Sequence, residues 1–164
     1  TLDAALARTL EPRAAAPHRR LRTIRTLVDA GVPVGVSVGP QIPFINDDME
    51  QVLAAARDAG ATSAFYTVVR LPWEVAPLFK EWLQLHYPQR ADRVMARIRE
   101  MRGGKDYDAD FATRMKGSGL WADLIRQRFR LACRKHGIGR SRDLTLDTSC
   151  FVAPKPDTPQ GSLF

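Results

Sequence analysis

The amino-acid sequence predicts an α/β fold: the C-terminal part of a partial (β/α) barrel with parallel strands, followed by a helical C-terminal region. Three observations predict it. Residues 17–70 read as helix, strand, helix, strand. An Ala-Gly pair, Ala30-Gly31 and then Ala59-Gly60, leads tightly into each strand. Beyond Pro72 the apolar residues recur at helical spacing. The divisions that follow are residues 1–72 for the barrel part, 73–150 for the helical region and 151–164 for a disordered tail.

Thr1-Leu2-Asp3 reads as the end of a preceding strand that runs into a helix from Ala4 to Leu10. Pro17 opens the next helix, where a missing N–H is no loss; Leu21, Ile24, Leu27 and Val28 form its stripe and Gly31 ends it. Val34 to Val38 is a strand whose apolar run predicts burial on both faces. The strand is then expected to stop at Gly39, because Pro40 and Pro43 frame an isolated Ile42. Asn46 or Asp47 caps a helix with the stripe Met49, Val52, Leu53 and Ala56, and Gly60 stops it. Ser63 to Val69 is the second strand.

After Pro72, Val75, Leu78, Phe79, Trp82 and Leu83 form one helical stripe. Val94, Met95, Ile98 and Met101 form another, closed by Gly103-Gly104. A longer helix buries Trp121, Leu124, Ile125, Phe129 and Ala132 and ends at Gly137. Arg128 falls on that apolar stripe and is expected either to snorkel to the surface or to pair with a buried carboxylate, Asp123 or Asp106. The last stretch alternates through Leu144, Leu146 and Phe151, then passes into the proline-rich tail.

Two strands alone do not make a stable parallel sheet, since such sheets bury both faces and have more members. The remainder is expected from a missing N-terminal half of the barrel ahead of Thr1. The alternative is self-association of this chain through an exposed sheet edge. No apolar run spans a membrane, and two cysteines without CxxC spacing, Cys133 and Cys150, read as reduced thiols of a cytoplasmic protein. A net charge of +7 favours an anionic partner, nucleic acid among them, or reflects a generally arginine-rich composition.

In parallel β/α architectures ligands bind beyond the carboxyl ends of the strands. Those ends offer the Asp3 carboxylate, an apolar shelf at Ile42 shaped by Pro40, the Asn46 amide and the Arg70 guanidinium. Such a mixture suits a nucleoside: an apolar wall for the ring, an amide or carboxylate for ribose hydroxyls. A proline-rich turn that only caps the sheet is the other reading.

The stretch Pro40-Gln41-Ile42-Pro43-Phe44-Ile45-Asn46-Asp47 resembles the fifth-strand motif Gly-x-Ile-x-Gly-x-x-Glu of the radical S-adenosylmethionine superfamily. Ile42 matches; Pro40 and Phe44 replace the glycines, and Asp47 replaces the glutamate. Further segments resemble the branch related to spore photoproduct lyase, often called DNA-repair-photolyase-like. They are Leu10-Glu11-Pro12-Arg13, Ala30-Gly31-Val32-Pro33-Val34-Gly35-Val36, Met101-Arg102-Gly103-Gly104-Lys105, Arg114-Met115-Lys116-Gly117-Ser118-Gly119 and Gln160-Gly161-Ser162-Leu163-Phe164. The resemblance implies a 4Fe–4S cluster on a CxxxCxxC triplet, with S-adenosylmethionine on the fourth iron. Reductive cleavage would then give a 5′-deoxyadenosyl radical that abstracts hydrogen from a substrate. No CxxxCxxC occurs here, so the cluster ligands are expected outside this chain, which alone should be inactive. It further implies Ile42 against adenine, and Asp3 at a ribose or methionine contact. Arg13 would stand on the methionyl carboxylate, or else is a solvated charge at a helix boundary. Tyr66 and Arg70 would face the substrate, Tyr66 alternatively being an ordinary sheet aromatic.

The helical region carries cations at two glycine loops, Lys105 and Lys116, and along one helix face at Arg126, Arg130 and Arg134. These could track a phosphate backbone, or form a solvated face. The competing function is therefore a non-enzymatic basic adaptor that binds nucleic acid.

Overall fold

A computed structural model describes residues 1–140 and 147–153. The expected alternation at Leu144 and Leu146, the proline-rich tail and the Gln160–Phe164 segment lie outside the described residues. In chain order the elements are α1 (Ala4–Leu10), α2 (Pro17–Asp29), β1 (Gly35–Gln41), α3 (Met49–Asp58) and β2 (Ser63–Val68). They continue as α4 (Val75–His86), α5 (Ala91–Glu100), α6 (Gly119–His136) and β3 (Gly139–Arg140). Among the described residues no helix is long and apolar enough to cross a membrane.

The chain is mixed α/β with a small parallel sheet in the order β1-β2-β3. Gly35 stands opposite Ser63 and Val38 opposite Tyr66, while Gly139 stands on the far side of Ser63. The two-residue β3 was not foreseen, because a Gly-Arg pair carries no β-branched signal. Thr1-Leu2-Asp3, expected to end a strand, is irregular. It is anchored instead by Asp48, whose carboxylate accepts from Thr1 Oγ1 at 2.8 Å and from the Leu2 N–H at 2.6 Å.

Burial along the strands alternates, which corrects the expectation that both faces are covered. Val38, Ala64, Tyr66 and Val68 join Met49 and Leu53 of α3 and Ile125, Phe129, Ala132 and Cys133 of α6 in one core. Ser37, Gly39 and Phe65, at the opposite parity, are exposed. With a pleat period of two, one face belongs to the helices and the other is open. α2 lies beside α3, where Arg25 donates to the Asp58 carbonyl at 2.7 Å.

β1 does not stop at Gly39. It continues through a cis Gly39-Pro40 bond to Gln41, with its register to β2 broken between Val38 and Gln41. Beyond that break the chain enters a second core. Ile42 packs with Val69, Leu71, Leu83, Ala91, Val94, Met95 and Ile98, and Phe44 and Ile45 pack against its margin. α4 and α5 build this second core. Val75 and Leu78 of the expected α4 stripe are exposed, and Leu83 is its buried anchor. Trp82 Nε1 ties α4 back to α1 through the Thr9 carbonyl at 3.3 Å.

The α3–α6 contact is closed by Arg128. Its Nε and Nη2 grip the two oxygens of Glu50 at 2.8 and 2.7 Å, and Nη1 reaches Asp47. The expected partners are engaged elsewhere, Asp123 with Arg126 and Asp106 with Lys80 and Arg99. The hydrogen bond from Arg128 holds the Glu50 carboxyl below its ordinary value of 4.5. A carboxylate with a depressed folded pKa adds stability above its unfolded pKa, and that stability fades as the pH falls through the folded value. Arg128→Met is therefore expected to lower the thermal midpoint at pH 7. The gap to the parent should close as the pH drops below about 4.5, which scanning calorimetry across that range checks.

Candidate functional site

The carboxyl ends of β1 and β2 lie side by side, and of the sequence-predicted residues Pro40, Ile42, Asn46 and Arg70 stand there. At the end of β1 a proline on each side of Gln41-Ile42 leaves few local hydrogen-bonding options. Asn46 supplies them. Its Oδ1 accepts from the Ile42 N–H at 2.7 Å, and its Nδ2 donates to the Pro40 carbonyl at 2.7 Å. Asn46 is 8 % exposed, so this clasp fixes the loop in a dry setting where an unpaired amide is costly. The expectation that Asn46 or Asp47 caps α3 is corrected: Asp48 precedes the helix, Asn46 clasps the loop, and Asp47 meets Arg128.

Ile42, at 3 % exposure, is packed by the second core and does not stand open as a shelf for a flat ring. It borders one cavity of about 190 Å³, walled also by Phe44, Trp121, Leu124 and Arg128. Phe44 closes that side, its ring 5.2 Å from Trp121 and covered by Arg93 at 3.9 Å. Pro40 lines a separate cavity of about 100 Å³ along the outer edge of β1, with Leu10, Ile24, Val36 and Ser37. Asp3 uses one carboxylate oxygen to cap α1, accepting from the Ala5 and Leu6 N–H groups at 2.8 and 3.0 Å. Arg13 is exposed in the turn between α1 and α2. Pro40, Ile42 and Asn46 thus form the carboxyl end of β1, Asp3 and Arg13 belong to α1 and the turn after it, and Asp3, Asn46 and Ile42 are each occupied by protein.

Tyr66 faces the helices, not the open side: it is 3 % exposed and its ring lies 4.8 Å from Phe129. Burial pushes its phenol up, with Arg126 opposing. The open side belongs to its neighbour Phe65, 45 % exposed. Adjacent aromatics on a strand point in opposite directions, and sequence alone does not say which parity meets the helices.

Arg70 does sit at the end of β2, in company the sequence did not announce. Its Nη2 reaches the Tyr107 oxygen at 3.1 Å and its Nη1 the Met115 thioether at 3.8 Å. Arg102, 2 % exposed, donates to the Val69 carbonyl at 2.8 Å and the Thr113 carbonyl at 3.1 Å. The Val68 N–H donates to the Met115 carbonyl, and the Ser118 N–H to that of Met101. The two glycine-and-cation segments, 101–105 and 114–119, are therefore one structure folded over the end of β2. Gly103, Gly104 and Gly117 turn it at positive φ, Gly117 against the Met101 side chain. Lys116 is turned inward, its ammonium 3.6 Å over the Tyr66 ring and bonded to the Tyr66 carbonyl. Lys105, Arg126, Arg130 and Arg134 are exposed, Arg126 paired with Asp123 at 2.6 Å.

Comparison with models of protein families, with curated proteins and with solved structures finds no match to this chain. Among the described residues no cluster of three or more His, Cys, Asp or Glu side chains has the geometry to hold a metal ion.

Asn46→Ala leaves the Ile42 N–H and the Pro40 carbonyl without their partner. The loss expected is about 2 kcal/mol of unfolding free energy in urea, at the cost typical of unsatisfied buried groups.

Proposed function

We propose that this chain is the C-terminal portion of a radical S-adenosylmethionine enzyme of the branch related to spore photoproduct lyase. Its substrate would be an unidentified molecule, nucleic acid being one candidate class. One observation carries the reading. The parallel strands follow one another in chain order, and α3 and α6 pack together on one side of them, with α2 beside α3. The other side offers small residues, Gly35, Ser37 and Gly39, with Phe65 and Thr67 beside them. In a (β/α) barrel all helices lie outside and the strands turn such a face to the interior. A doubly wound sheet would carry helices on both faces. The open face and the outer edge of β1 fit an arc of a barrel completed by further strands, and two of the segments resembling the photolyase-like branch, 101–105 and 114–119, fold over the carboxyl end of β2.

The cluster does not fit the donors of this chain. The sequence has two cysteines, one buried on α6 and one exposed at position 150, and neither belongs to a CxxxCxxC triplet. The cluster ligands belong outside this chain, and no step of the radical chemistry is assigned to its residues. For S-adenosylmethionine the fit is also indirect. Asp3 caps α1, Asn46 holds the loop backbone and Ile42 is enclosed, so each of the three is committed to the protein's own structure.

The test is the complete reading frame. It is expected to encode CxxxCxxC upstream of Thr1. The full protein, reconstituted with iron and sulfide, should release 5′-deoxyadenosine on reduction while residues 1–164 alone do not. A frame without the triplet sinks the reading.

The exposed row Arg130 and Arg134, with Lys105, favours a second reading: a non-enzymatic basic adaptor for nucleic acid. On that reading the chain should bind single-stranded oligonucleotides with log K falling steeply against log salt, by roughly 0.7 per phosphate contact. A flat salt response in a fluorescence-anisotropy titration would dismiss it.

A further inference from the structure

We propose that Arg70, Arg102 and Tyr107, at the carboxyl end of β2, form a binding site for the phosphate group of a ligand. Arg102 is nearly inaccessible, yet among the described residues no carboxylate pairs with it. Its acceptors are two neutral carbonyls, those of Val69 and Thr113, and its Nε is buried without a partner. A guanidinium carries five N–H donors, so most of this fork is uncommitted. Arg70 repeats the pattern. Its Nε is likewise buried and unpartnered, and its terminal nitrogens meet a phenol oxygen and a thioether.

A buried cation without an anion is strongly unfavourable, and a second beside it adds repulsion. Burial, with Arg70 adding to it, pulls the Arg102 pKa down. The Asp108 carboxylate offsets part of this field. Its own oxygens are engaged by the Thr113 hydroxyl at 2.6 Å and the Asp110 N–H at 3.0 Å. An external oxyanion would relieve what the protein leaves uncompensated. Tyr107 adds a donor, because its oxygen accepts from Arg70 and its own proton stays available. Planar forks match phosphate oxygens, and two positive charges suit a dianion better than a carboxylate. Ligands of parallel sheets also collect at this end of the strands. These contacts stand independently of the cofactor reading.

The probe is inorganic phosphate, titrated into the chain of residues 1–164 against chloride at matched ionic strength. Saturating phosphate is expected to raise the thermal midpoint by about 3 °C, the shift a ligand specific for the folded state produces. Arg70→Gln should abolish the rise, and Tyr107→Phe should weaken the phosphate affinity roughly tenfold, as loss of a charge-assisted bond does. Arg102→Gln removes a buried brace and can unfold the chain, so the two rim variants carry the test. Displacement by phenyl phosphate alone assigns a terminal phosphate; displacement by dimethyl phosphate as well assigns a diester backbone. No rise with phosphate, or an equal rise in Arg70→Gln, overturns the proposal.

Discussion

The Asn46 side chain is the constraint from which the rest of the architecture follows. By holding the Pro40 carbonyl and the Ile42 N–H together, it turns the chain at the end of β1. Residues before the turn feed the core between the sheet and α3–α6, and residues after it feed the core built by α4 and α5. Two hydrophobic cores on opposite sides of one short turn need a rigid divider. Prolines alone do not give one, because they remove donors without supplying acceptors. A buried primary amide does both jobs within two bonds.

Around that divider the molecule is braced mainly by arginine. Arg128 fastens α6 to α3 through Glu50 and Asp47, Arg90 donates to the Phe44 carbonyl, and Arg102 binds the end of β2 to the 113 turn. The guanidinium fork suits this work because it spans two acceptors at fixed geometry. Of the cations that read from the sequence as a surface for polyanions, Lys116 is turned inward onto Tyr66, while Lys105, Arg126, Arg130 and Arg134 are exposed. Arg70 and Arg102 each keep a buried Nε without a hydrogen-bond partner, and neither is in an ion pair among the described residues.

The α/β alternation and the helices were legible because their signals are local: Pro17 at a helix start, Gly137 in the left-handed cap of α6, stripes at helical spacing. The site was less legible because its relations are distant. Ile42 reads as an exposed loop residue until Leu83, Val94 and Ile98 arrive to cover it. Arg128 has nearer carboxylates in sequence than Glu50, yet the α3–α6 packing selects Glu50. Tyr66 and Phe65 compete for one direction, and only the position of Phe129 decides it. The joining of segments 101–105 and 114–119 could have been suspected from their shared glycines and cations, but Arg102 as its brace has no sequence signature beyond being one more arginine.

The bend over β2 has an uneven tolerance for change. At Gly103 and Gly104 a methyl group would meet open space, so only torsional preference guards those two places, and asparagine or aspartate are the natural substitutes. At Gly117 the Met101 Cβ and carbonyl stand 3.1 and 3.2 Å from where that methyl would be, and steric exclusion joins handedness. Drift in related chains should thus fray the first corner of this hood long before the second.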